Sequence, residues 1–186
     1  LEALLGRWKR WPSLKLEGVH VHPGSQGTSV DAALEVVRVT LRLLAQVRAA
    51  LPDDVRLVVT GDHGMINVPP ASRLFFEDEP DLLAEVTALA GEGRLRQLMT
   101  RQPDAVAARW RDRLGTSAWV RTRAEAIEEG WFGAVSPRLA DRFGNVLVAM
   151  ADDGAVMSRM LPKELTLVGM HASLTPAELD VPLLVD

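Results

Sequence analysis

The side chains in this sequence best suited to chemistry are its four histidines, His20, His22, His63 and His171. His63 follows Asp62, and glycines flank the pair in Gly61-Asp62-His63-Gly64-Met65. Those glycines let the backbone turn tightly and present both side chains outward. Adjacent residues on a strand point to opposite faces, whereas on a loop they can converge. An imidazole nitrogen and a carboxylate oxygen make a natural ligand set for zinc or manganese where no thiolate is available, and the chain has no Cys. The alternative reading is that Asp62 caps the next segment and His63 hydrogen-bonds the backbone. His20 and His22 sit in a second Gly-rich loop, which runs from Glu17 to Ser29.

The elements that must position these residues can be read from patterning. Val30, Ala33, Leu34, Val37, Leu41, Leu44 and Leu51 keep a helical period, opposed by a charged face of Asp31, Glu35, Arg38 and Arg42. Thr28 or Ser29 is the expected N-cap, and Pro52-Asp53-Asp54 the stop. Val55–Thr60 reads as a buried strand of the kind covered on both faces, and it feeds directly into Asp62 and His63. In open α/β sheets chemistry gathers beyond such carboxyl ends. Beyond Pro69-Pro70 the pattern predicts strands at Arg73–Glu77, Arg94–Thr100 and Ala118–Arg121. It predicts helices at Asp81–Ala90, Asp104–Leu114 and Arg123–Glu129. Asn145–Met150 and Ala155–Ser158 read as two strands joined by the turn Asp152-Asp153-Gly154.

Trp131-Phe132, between two glycines, fits a core segment better than a substrate-facing one. Arg94, Arg96 and Arg101 have the cationic groups to meet a phosphate but are spaced like an exposed strand edge. Trp8-Lys9-Arg10-Trp11 fits a half-exposed helix end.

The 186 residues are 47% hydrophobic and 25% charged with a net charge of −4, an ordinary globular composition for one domain. Apolar runs fall well short of the ~18 residues of a membrane span. The absence of Cys excludes a disulfide framework and a Cys nucleophile. A pI near 5.6 argues against binding nucleic-acid polymers. The first residue is Leu1, nothing there has the layout of a signal peptide, and the cytoplasm is the compartment this favours.

The Gly61–Met65 motif behind a strand is followed late in the chain by Gly169-Met170-His171. That leads into Leu174-Thr175-Pro176-Ala177-Glu178 and Val181-Pro182-Leu183-Leu184. In this order the segments resemble the type I phosphodiesterase/nucleotide pyrophosphatase branch of the alkaline phosphatase superfamily, most closely its actinobacterial alkaline-phosphatase-family proteins. Arg109–Gly115, Ala126–Gly133 and Leu167–Leu184 are similar in wording too, and the resemblance runs from about Glu17 onward. It implies an α/β fold with an alkaline-phosphatase-like mixed, mostly parallel sheet and helices on both faces, incomplete at the N-terminus. Residues 1–186 would form one metal-binding domain, with residues 70–165 a cap-like insertion between the metal motifs.

The resemblance also implies a site for two divalent ions, zinc or manganese. By position Asp62 and His63 match the ligands of one ion and His171 a ligand of the other. His20 matches the His of an upstream Asp-x-x-x-His segment, with His22 as its runner-up. Leu16 stands where that segment has Asp, and Glu17 is the nearby carboxylate. The family's first Asp ligand and its Thr or Ser nucleophile have no counterpart, so no catalytic residue is assigned. The implied activity is hydrolysis of phosphodiesters or nucleotide pyrophosphates, with this chain an incomplete, inactive portion. The alternative is a non-catalytic, degenerate domain of the same fold serving as a binding or structural module. A doubly wound sheet without its first strands would expose an edge and an apolar face. That predicts a rearranged core or a homodimer covering the gap.

Overall fold

The computed structural model describes residues 30–186. The expected N-caps Thr28 and Ser29 therefore lie outside the described residues, as do residues 8–11, Glu17, His20 and His22. The chain divides into two units, Leu1–Leu51 and Pro52–Asp186. In the first, helix α1 spans Val30–Ala50 and stops before Pro52, which has no N–H to continue it. Glu35 pairs with Arg38 at 3.6 Å and Arg42 at 3.3 Å on its surface. Such exposed helix pairs contribute only tenths of a kcal/mol, about 0.3–0.5 each.

The second unit is organised on a four-stranded antiparallel sheet. Along the chain come β1 (Val58–Thr60), β2 (Ile66–Asn67), β3 (Arg73–Phe75), helix α2 (Pro80–Leu83), β4 (Val86–Glu92) and β5 (Leu95–Thr100). Then follow α3 (Pro103–Leu114), β6 (Ala118–Thr122), α4 (Arg123–Glu128), α5 (Pro137–Ala140), β7 (Val146–Met150) and β8 (Ala155–Met157). The chain ends with β9 (Gly169–Met170), α6 (Pro176–Leu179) and β10 (Leu183–Val185). The sheet has the order β4-β5-β7-β6. Its central strand β7 is buried on both faces, and its side chains alternate between two cores. Val146, Val148 and Met150 join Val106, Ala107, Trp110 and Leu114 of α3. Leu147 and Ala149 face Ala126 of α4, together with Trp131 and Phe132. The core reading of Trp131-Phe132 fits this packing, and Phe132 also stacks on Phe143 at 4.2 Å. Helix α4 starts with a capping box in which Thr122 and Glu125 exchange side-chain and backbone bonds.

The α/β class expected from the sequence is found, with helices on both faces of the main sheet. Within the described residues, however, only the β3–β8 pair is parallel. In the β4–β5 hairpin a tight connection accounts for this, because the two-residue link Gly93-Arg94 joins antiparallel neighbours, whereas parallel ones need a long crossover. Residues 81–90 correct the helix expected there. The helix ends at Leu83 and the chain becomes β4, paired with β5 from Val86↔Thr100 to Glu92↔Leu95. β-Branched Val86 and Thr87 and the hairpin's Gly91 at φ 79° favour the ladder over the helix that Leu82, Leu83 and Ala84 would propagate. β7 and β8 do not pair with each other, since the turn at residues 152–154 carries the chain from one sheet to another. β1 is not buried on both faces either. It pairs antiparallel with β10, and Val58, Leu183, Leu184 and Val185 are each more than half exposed. The expected exposed apolar face is thus found on this ladder.

Candidate functional site

Two antiparallel ladders, β1–β10 and β2–β9, bring together the loops that carry the chemistry. The first loop, residues 61–65, links β1 to β2. The second, residues 171–182, links β9 to β10. Between the ladders the Gly64 N–H donates to the Glu178 carbonyl at 2.8 Å, closing the two loops on each other. Gly64 is demanded by this approach: a Cβ there would lie 2.0 Å from the Ala177 carbonyl oxygen.

On the first loop, Asp62 Oδ1 accepts the His63 backbone N–H at 3.1 Å. His63 Nδ1 lies 2.8 Å from the Gly64 carbonyl oxygen. A carbonyl can only accept, so Nδ1 carries the proton, and in the neutral ring the lone pair belongs to Nε2. That nitrogen lies 3.7 Å from Asp62 Oδ2. The His63–backbone bond of the alternative reading is present, Asp62 holds the adjacent N–H rather than capping a following helix, and the candidate ligating atoms Nε2 and Oδ2 stand near each other. Two zinc ligands bonded at roughly 2.0–2.1 Å in tetrahedral geometry stand about 3.3 Å apart, close to this separation.

His171 stacks on His63 with ring centroids 3.6 Å apart and planes 13° from parallel. It is anchored on both sides. Met170 is buried among Val68, Ala155 and Met157, while Ala172 and Leu174 pack on Leu95, Ala126, Leu147 and Ala149. Burial lowers the His171 pKa from its ordinary value, and repulsion from His63 lowers it further, outweighing the acidic side chains that act the other way. The folded chain therefore binds this proton less readily than the unfolded chain. Stability is unaffected by this group above about pH 6.5, falls as pH drops below that value, and levels off below the lowered folded value. Urea midpoints measured across that range should show the decline, and His171→Asn should flatten it; an equal slope in both proteins would sink this assignment.

Ala172 follows at φ 100°, a left-handed conformation that its Cβ disfavours. Relief of about 1–3 kcal/mol of strain, less about 0.8 for the packed methyl, predicts that Ala172→Gly stabilises the fold. Thermal or chemical unfolding should show a gain of about 1 kcal/mol; a loss would mean the methyl contact dominates.

Behind the His171 loop lies an ion pair the sequence reading missed. Arg94 is fully buried, and its Nε and Nη2 donate to the two carboxylate oxygens of Glu178 at 2.8 and 2.7 Å. Nη1 donates to the Asp152 and Gly154 carbonyls. Glu178 also accepts from the Ser173 N–H at 3.0 Å and from the Thr175 hydroxyl. Burial pushes its pKa up, but these hydrogen bonds and the Arg94 charge outweigh it, and the carboxyl sits below its ordinary value. Arg96 is likewise fully buried and forms an ion pair with Glu164. Arg94 and Arg96 therefore do not form an exposed strand edge, and both are engaged internally, while Arg101 is exposed. Thr175-x-x-Glu178 has the spelling of a capping box, as Thr122-x-x-Glu125 does. Here the glutamate turns to Arg94 instead, 84 residues upstream, and no local pattern announces that.

The structure thus brings Asp62, His63 and His171 together, whereas His20, His22 and Glu17 lie outside the described residues. Among the described residues no three His, Asp or Glu side chains are grouped to hold a single ion. No helix among them is long and apolar enough to cross a membrane.

Imidazole and carboxylate donors gathered on loops at strand ends, in an α/β fold, define the class of site. The family follows from comparison: residues 20–174 match the model of type I phosphodiesterase/nucleotide pyrophosphatase. The chain belongs to that family, within the alkaline phosphatase superfamily. Among solved structures it is similar to human ectonucleotide pyrophosphatase/phosphodiesterase 5, with a TM-score of 0.61 and 13% identity over 83% of this chain and 40% of that one. An inactive variant of the mouse protein in complex with AMP gives 0.64 and 18% over 87% of this chain and 42% of that one. Phosphonoacetate hydrolase from Sinorhizobium meliloti, in complex with phosphonoacetate, gives 0.62 and 18% over the same shares. At these identities the likeness is one of fold, and the chain spans about two fifths of the length of these structures. A search of curated proteins finds no match.

Proposed function

We propose that this chain carries metal-binding loops of a two-metal phosphodiesterase or nucleotide pyrophosphatase. In this reading Asp62 and His63 hold one divalent ion. His171 belongs to the second, for which His20, with His22 or Glu17, are the candidates that the family resemblance implies outside the described residues. Zinc suits the donor set best, and manganese is the alternative. The observation that carries the reading is the stacked pair His63/His171 beside the Asp62 carboxylate. Parallel rings 3.6 Å apart suit one ion each rather than one shared ion, and two-metal sites space their ions by about 3.5–4 Å. Such ions, when bound, neutralise phosphate charge and hold the attacking and leaving oxygens of an in-line displacement.

The chain's own residues do the preparatory work. The Gly64 carbonyl fixes the His63 tautomer, and burial favours neutral His171, the form that ligates. The substrate class proposed is a nucleotide or other phosphodiester; AMP and phosphonoacetate are ligands of the similar structures rather than findings for this chain. No Thr or Ser here is assigned as nucleophile, so the chain by itself is proposed to bind metal without turning substrate over.

Elemental analysis after extensive dialysis tests this, on the wild-type chain and on a His63→Ala/His171→Ala variant. Retained zinc or manganese in the wild type, lost in the variant, is the expected result. Metal in neither protein would overturn the reading and favour a binding or structural module of the same fold, consistent with Leu16 standing in place of a carboxylate.

A further inference from the structure

We propose that Glu178, clamped by Arg94, is the positioning residue that sets the two imidazoles against each other. The proposal rests on the reading above only for its consequence, metal affinity; the positioning claim concerns the metal-free chain.

Glu178, itself on the His171 loop, bonds within that loop and across to the His63 loop. Its side chain accepts the Ser173 N–H at 3.0 Å, two residues beyond His171. Its main-chain carbonyl accepts the Gly64 N–H at 2.8 Å, one residue beyond His63. Alongside the β2–β9 pairing next to His171, the position of His171 relative to His63 is therefore tied through this residue. That residue is held to the main sheet by the forked Arg94 contact, with both side chains essentially out of solvent. Arg94 in turn is fixed by the Asp152, Gly154 and Met150 carbonyls at the end of β7. The Ser173 hydroxyl adds a parallel tie to the Met150 carbonyl at 2.6 Å.

Removing two charges from water is expensive, and an apolar pair of similar volume often serves stability as well. What an apolar pair does not supply is directional reach to Ser173 and Thr175. A buried pair with every group partnered fits a role in holding one loop geometry.

The test compares Glu178→Gln with Glu164→Gln, which weakens the other buried arginine pair, where Arg96 bonds Val156, Gly91 and Glu164 rather than the histidine loops. In the metal-free proteins, side-chain NMR reads the ring-current displacement of the stacked His63 and His171 signals. Zinc affinity is then read by competition with a chromophoric chelator. Glu178→Gln should lose the ring-current displacement and bind zinc about tenfold or more weakly, the usual effect of removing a supporting partner. Glu164→Gln should keep both. Unchanged histidine signals in Glu178→Gln, or equal losses in both variants, would overturn the proposal. If the wild type binds no zinc while Glu178→Gln still separates the rings, positioning stands and the metal reading falls. Should Glu178→Gln fail to fold, Thr175→Val removes one hydrogen bond to the same carboxylate. It should displace the signals part-way, and no displacement would count against the proposal.

Discussion

Gly64→Ala is expected to lower stability by about 3 kcal/mol and to release the His63 loop from its partner. The added methyl would sit 2.0 Å from the Ala177 carbonyl oxygen, 2.9 Å from its carbon and 3.1 Å from Glu178 Cα. All three are backbone atoms of the α6 turn, so no side chain can swing aside to make room. Overpacking costs about 1–3 kcal/mol, and the Gly64–Glu178 hydrogen bond lost with it about 1 more. For a chain of this size that corresponds to a fall in Tm of roughly 6–12 °C. The contrast is Gly169, where a new methyl crowds the flexible Met65 side chain rather than backbone and should cost less. Calorimetry on both variants, with metal content after dialysis, decides the matter. A Gly64→Ala protein as stable as wild type would mean that the two loops are not in the contact described.

The glycine also shows how far the sequence could be read. Glycines around Asp62 and His63 marked a loop at a strand's end, and the structure places one there. The reason read from sequence was a tight turn, whereas the reason for Gly64 in space is the approach of residues 177 and 178, more than a hundred positions away. Periodic, locally determined elements were legible: α3 and β7 fall within a residue or so of where hydrophobic spacing put them. The hairpin of β4 and β5 was half legible. Leu82, Leu83 and Ala84 are helix formers, and the partner strand adds to the local preference of Val86 and Thr87 to tip Val86–Ala90 into a ladder. The run Val55–Thr60 read as doubly covered because its residues are continuously apolar. Composition marks a segment able to be buried, but what lies against β1 and β10 is decided elsewhere. The buried arginines were illegible for a sharper reason. Alternating Arg94-Leu95-Arg96 is the spelling of a strand with one wet face, and the carboxylates that make that face dry come from Glu178 and Glu164.

The second large effect is expected at the other buried pair, Arg96 and Glu164. Glu164→Leu should cost about 3 kcal/mol, the lower end for breaking a buried pair, because the Glu164 side chain keeps 17% exposure while Arg96 keeps none. The variant leaves a guanidinium in the interior with only the Val156 and Gly91 carbonyls as partners. Replacing both residues, Arg96→Met with Glu164→Leu, removes the stranded charge and should recover much of the loss, as apolar replacement of whole pairs commonly does. Recovery should stop short of wild type, since the Gly91 and Val156 carbonyls then lose their donor, at about 1 kcal/mol for each. Chemical unfolding of the two singles and the double closes a double-mutant cycle whose coupling term isolates the pair. A Glu164→Leu cost below about 1 kcal/mol, within the range of surface pairs, would mean that the carbonyls alone satisfy Arg96. In that case the ion pair would not be what turns a polar-looking strand into a buried one, and the explanation would have to rest on those two carbonyls instead.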